Sequence, residues 1–180
     1  MSFLKRINFL PNDPNRAPES WLDLDMAGEA RYWDGAEVAC LSGIHRTAAI
    51  YLFGYAAELA LKVAYFRKIV AFDLDTRDVR RKAEAAMGGL LSVANSPVAA
   101  KAAKGHNLLG WYLLLREQQA VLAPPDRWTP HFELTAQAHI QRLEGHWSEQ
   151  LRYRHETASS TELGEVYASA SWLWDNRNIL

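Results

Sequence analysis

Glu58 and Lys62 stand four residues apart in Gly54-Tyr55-Ala56-Ala57-Glu58-Leu59-Ala60-Leu61-Lys62, a stretch that is otherwise almost wholly apolar. Acid before base at that spacing is the favourable order on a helix, worth a few tenths of a kcal/mol at a surface. On an apolar helix the pair is partly desolvated, and a carboxylate left without a cation there is costly. Glu58 therefore needs Lys62, or an arginine from elsewhere such as Arg152, and a structural ion pair of these residues is the expectation. The second chemical cluster is Trp147-Ser148-Glu149-Gln150-Leu151-Arg152-Tyr153-Arg154-His155-Glu156-Thr157. Two guanidinium forks, a stacking ring and the amides of a following helix start make Arg152, Tyr153, Arg154 and His155 candidates for holding an anion. His155 is also the one catalytic candidate, as an acid/base group beside Arg152 or Arg154.

Other chemistries lack their residues. No Glu is followed three positions later by His, so the inward-facing Glu-x-x-His pairs of a di-iron bundle are missing. His139 and His146 share a helix face but lie about 10 Å apart along it, too far to chelate one ion. His-Glu-x-x-His does not occur, and the one cysteine, Cys40, cannot build a thiolate zinc site. Phosphate-binding glycine loops and Gly-x-Ser-x-Gly are also absent. Neither a metal nor a cofactor is expected, and Cys40 reads as a small buried hydrophobe.

The elements that must position these residues read as helices. Ala and Leu dominate, β-branched residues are sparse, and no stretch alternates with period two. Ser20-Trp21-Leu22-Asp23 reads as a capping box opening a helix that runs to about Cys40, stopped by Ser42-Gly43. A second helix, about His45–Ile69, is apolar on nearly all faces and should be central. Asp75 can cap a third, ended by Gly88-Gly89, and Ser96-Pro97 opens a short turn before Gly105. A fourth helix starts near Asn107 and stops before Pro124-Pro125. Thr129-Pro130 begins a fifth, with Phe132, Ala136, Ile140, Leu143 and Trp147 on one stripe. Ser159-Ser160-Thr161-Glu162 caps the last, which places Leu163, Val166, Tyr167, Ala170 and Leu173 at helical spacing. The product is an all-α antiparallel bundle of five or six helices: an extended arm over residues 1–19 and a single helical domain over 20–180.

Composition bounds the function classes. A chain of 180 residues with 20 Lys+Arg against 21 Asp+Glu is no globally basic nucleic-acid binder, though a local patch remains open. One cysteine allows no internal disulfide, which fits a reducing cytoplasm. Residues 48–66 form the longest apolar stretch, but Glu58 and Lys62 interrupt it, so a buried bundle helix is expected rather than a membrane span. Seven tryptophans are unusual at this length. Trp21, Trp33, Trp111 and Trp147 fall near helix ends or on apolar stripes that a core can use. Trp172 and Trp174 point about 200° apart on one helix, so one of them is expected to face solvent or a partner.

With both clusters in view, the chain resembles the HEPN domains, a group of prokaryotic helical bundles. The resemblance rests on the central-helix stretch around Gly54, Tyr55, Glu58 and Lys62, on Gly105-His106-Asn107-Leu108-Leu109, and on Trp147 followed by Arg152-Tyr153. These agree in order over roughly residues 20–176. The resemblance implies a helical bundle that usually forms a homodimer, and roles in RNA cleavage, toxin–antitoxin pairs or partnership with a nucleotidyltransferase. Ribonuclease members carry Arg-x(4–6)-His near the last helix. No histidine here has an arginine five to seven positions before it, and Asn107 stands where an aspartate is usual. The expectation is thus a non-catalytic, dimeric, HEPN-like protein that contacts RNA, a nucleotide or a partner protein, with Glu58, Lys62 and His106 architectural. A metal-independent endoribonuclease using His155, with Arg152 or Arg154 on the phosphate, is the alternative. A purely structural interaction module is the third reading.

Overall fold

The computed structural model describes residues 20–41, 43–69, 76–93, 106–121, 128–153 and 156–180, without the side chains of residues 91–93, 149 and 152. Six α-helices and no strand occur among the described residues: α1 Trp21–Leu41, α2 Arg46–Ile69, α3 Arg77–Val93, α4 Leu108–Val121, α5 Pro130–His146 and α6 Ser160–Asp175. The chain is an all-α bundle.

Local chemistry sets the helix starts. Ser20 and Asp23 exchange three bonds, the Ser20 amide and hydroxyl donating to Asp23 Oδ2 (2.9 and 2.8 Å) and the Asp23 amide to Ser20 Oγ (3.2 Å). Ser159 and Glu162 repeat the box at α6. Thr129 accepts from the Phe132 amide at 3.1 Å, with Pro130 in the first turn of α5. Asp75, Ser96-Pro97 and Pro124-Pro125 lie outside the described residues, as does the arm. Gly88-Gly89 does not end α3, which runs on to Val93. Glycine weakens a helix by about 1 kcal/mol without stopping it, and α3 is held on α4, where Met87 reaches Gly110.

A short 3-10 turn, Gly43–His45, folds α2 back on α1. Gly28 faces Leu59 and Gly35 faces Phe53, so the two run antiparallel, and the missing side chains let them approach closely. The pairings Leu109–Glu144 and Tyr112–Glu133 make α4 and α5 antiparallel. His146–Glu165 and Phe132–Trp172 do the same for α5 and α6.

Helix α2 lies at the centre. Phe53, Leu61 and Phe66 are fully buried and meet Trp111, Tyr112, Leu115, Ile140 and Leu143 in one core. Each such side chain contributes about 1.5–3 kcal/mol on burial. The stretch Gly43–Ile69 is long and apolar enough to cross a membrane, yet 83% of its apolar window is buried inside the bundle, which is the place of a core helix.

The tryptophans depart from expectation. Trp174 is buried and stacks on Tyr32 of α1 at 5.4 Å, with the Arg177 guanidinium 4.2 Å from its ring centre. Trp172 stacks on His139 of α5 at 4.8 Å and is partly covered. Both therefore find partners within this chain, because α6 has other helices against it on both sides. Trp33 and Cys40, in contrast, face outward from α1. Cys40 is exposed rather than buried because its position, seven residues past Trp33, falls on the same outer face.

Candidate functional site

The three motif stretches meet around α2. The Trp147 indole lies flat on the backbone of α2 at Gly54: a Cβ there would sit 2.0 Å from Trp147 Cδ1. Only glycine admits that approach. The indole Nε1 donates to the Tyr51 carbonyl at 3.1 Å, so the polar edge of a buried ring is satisfied. Trp147 itself has left α5, which ends at His146; its backbone is extended (φ −115, ψ 135) and swings the ring towards α2.

One turn further along, Glu58 is fully buried. Lys62 donates to Glu58 Oε1 at 2.5 Å, and His106 Nδ1 meets Oε2 at 2.9 Å. Both oxygens of the buried carboxylate are thus occupied, one by a cation on its own helix and one from the entry to α4. Lys62 lies 5.3 Å from the Trp111 ring centre, and Tyr55 packs towards His106. The expected Glu58–Lys62 pair is present. Whether Arg152 joins it lies outside the described side chains, and His106 is the partner that spacing alone did not identify.

The start of α4 is stitched to the same node. Asn107 Oδ1 accepts from the Gly110 amide at 2.6 Å, which is a cap an aspartate could also supply. Glu144 of α5 accepts from the Leu109 amide at 2.8 Å. Burial raises the Glu144 carboxyl above its ordinary value, only partly offset by that bond. No sequence signal points to Glu144, since its partner is thirty-five residues away.

The Arg-Tyr-Arg-His stretch follows Trp147. A 3-10 turn, Glu149–Tyr153, buries Leu151 and leaves Tyr153 68% exposed. After it, Thr47 Oγ1 donates to the Glu156 carbonyl (3.0 Å) and accepts from the Ala158 amide (2.9 Å). The connection between α5 and α6 is therefore pinned on α2 at both ends, by Tyr51 and Gly54 before the turn and by Thr47 after it. Tyr153 lies between these anchors. Arg154 and His155 fall between them in sequence and lie outside the described residues. Two further histidines bond across to α6: His139 meets Ser169 at 3.2 Å, burial lowering its pKa, and His146 meets Glu165 at 2.6 Å, while His45 and His131 are exposed. Among the described residues no three His, Cys, Asp or Glu side chains gather as a metal site would need.

Compared with known proteins, the chain matches no protein-family model, no curated protein and no solved structure.

Proposed function

We propose that this chain is a HEPN-like binding protein of the cytoplasm, a non-catalytic homodimer that contacts RNA or a nucleotide through Arg152, Tyr153, Arg154 and His155. The resemblance names a nucleotidyltransferase-type or toxin–antitoxin partner as the protein it would serve. One observation carries the reading: residues of all three resembling stretches, Gly54 with Trp147 and Glu58 with Lys62 and His106, converge on a single face of α2. The residues on either side of the two arginines are tied to that same helix, Trp147 at Tyr51 and Glu156 at Thr47, and Tyr153 is exposed. Fixed flanks limit the freedom that a segment between them loses on binding, which favours recognition of an anion. The missing Arg-x(4–6)-His spacing argues against cleavage.

The test is fluorescence anisotropy with a short single-stranded RNA and with a nucleoside triphosphate at low salt, where phosphate contacts are strongest. Arg152→Ala plus Arg154→Ala should weaken binding about tenfold or more, the loss expected for charge-assisted hydrogen bonds, with the melting temperature unchanged. Loss of stability with binding intact in the folded fraction would make the arginines braces and end the proposal. RNA cleavage in EDTA that disappears in His155→Ala would replace it with the ribonuclease reading.

A further inference from the structure

The outer face of α1 carries apolar side chains that nothing described covers. Leu22, Met26, Glu29, Trp33, Glu37 and Cys40 are all exposed and fall within about 80° of one another around the helix. Leu24, Gly28, Tyr32 and Gly35 occupy the buried side. Met26 is 60% and Trp33 56% exposed. Single exposed hydrophobes are ordinary, but Leu22, Met26 and Trp33 align over three turns of one helix, and contiguous apolar surface marks a contact.

The charge on α1 narrows the occupant. Asp23, Asp25, Glu29, Asp34 and Glu37 stand against Arg31 alone, and Arg31 is paired with Asp34 at 3.0 Å. The surface is apolar and acidic, so it fits an apolar and basic segment. A second copy meeting it through the same face would set Glu29 and Glu37 against like charges. Residues 3–10 of this chain, Phe-Leu-Lys-Arg-Ile-Asn-Phe-Leu, have the complementary chemistry: Phe3, Leu4, Ile7, Phe9 and Leu10 with Lys5 and Arg6, and no acidic residue. The tether also reaches. Residues 11–19 can span up to about 30 Å, whereas Trp33, thirteen positions past Ser20, lies about 20 Å along α1. Tethering makes the contact intramolecular, so a weak intrinsic affinity suffices.

We propose that residues 3–10 dock on the Leu22–Met26–Trp33 face of α1 in the same chain, with Lys5 and Arg6 answering Glu29 and Glu37. The chain labelled with 5-fluorotryptophan tests this by fluorine NMR, with Trp33→Phe assigning the Trp33 signal. Removing residues 1–12 should shift that signal and increase its solvent isotope effect while the other tryptophan signals stay in place. A synthetic peptide of residues 1–12 should reverse the change. Lys5→Glu plus Arg6→Glu in the full chain should reproduce most of it. A Trp33 signal indifferent to both the deletion and the charge reversal would overturn the proposal. A signal that moves on diluting the full chain, together with a fall in sedimenting mass, would assign the segment to a second copy and overturn the same-chain contact.

Discussion

Two histidine–carboxylate pairs in this bundle have similar geometry, with their carboxylates in opposite settings. His106 meets Glu58 at 2.9 Å, with the carboxylate side chain fully buried and Lys62 on its other oxygen. His146 meets Glu165 at 2.6 Å across the α5–α6 surface, with the Glu165 side chain 46% exposed. Distance alone would rank the second as stronger. Burial reverses the order: water and salt screen the exposed pair, while Glu58 has no solvent to replace a lost partner. The buried node also ties α2 to the entry of α4, one turn from the seat of Trp147 at Gly54, whereas the surface pair joins two neighbouring helices. The burial of the carboxylate, and not that of the imidazole (40% exposed in His106, 24% in His146), decides what breaking each pair does.

The sharpest way to test the weight of the buried side is Gly54→Ala. The new methyl would collide with the Trp147 ring at 2.0 Å, so the indole must leave its seat. The expected loss is about 3–5 kcal/mol, the cost of giving up a buried tryptophan, read by chemical denaturation. The same change in a Trp147→Ala background should cost almost nothing, since the clash is gone. Equal costs in both backgrounds would show that Gly54 matters for its backbone and not for Trp147.

Lys62→Ala comes next. It removes the cation from a fully buried carboxylate, and a loss of about 3 kcal/mol is expected, the lower end for a broken buried pair because His106 can still donate. Adding Glu58→Gln should recover much of that loss, since the orphaned charge is gone. If the double variant is no better than the single, packing of the Lys62 stem on Trp111 is the larger part.

How much of this was readable beforehand follows the range of each interaction. The caps at Ser20, Thr129 and Ser159 involve partners three residues away, so residue type and spacing suffice. Glu58 and Lys62 are likewise one helical turn apart. His106 as the second partner of Glu58, and Glu144 as a cap of α4, join residues forty-eight and thirty-five positions apart, and no local pattern encodes them. The outward turn of Trp33 was missed for a related reason: α1 has apolar residues on both faces, so periodicity could not say which one is buried. Trp172 and Trp174 were both covered because their helix is flanked, a fact about topology. The arginine-bearing loop was legible as chemistry, and its attachment to α2 through Thr47 was not.

Glu144 gives a pH-dependent test of the node's edge. Its folded pKa is raised, so the folded state holds this proton more tightly than the unfolded chain. The contribution is full below the unfolded carboxyl value near 4.5 and is lost as pH rises through the raised folded value. Glu144→Gln keeps an oxygen for the Leu109 amide and removes the titration. Stability should therefore decline less on going from pH 4 to neutral in the variant, about pH 4 being below the ordinary glutamate value. Identical slopes would mean that the carboxylate is solvated in the folded state.

His146→Ala should do least. Its partner Glu165 is half in water, so removing the imidazole leaves a carboxylate that solvent can satisfy, and a change of about 0–1 kcal/mol is expected. Added salt should shrink even that difference, because an exposed pair is screened. His106→Ala belongs beside it as the matched experiment: the same residue type is lost, but Lys62 is the partner left to Glu58 among the described residues, and water reaches the carboxylate only through the gap that the 40% exposed imidazole leaves. A His146→Ala cost as large as that of His106→Ala would break the comparison, since it would mean that the α5–α6 surface pair is shielded from solvent as the buried one is.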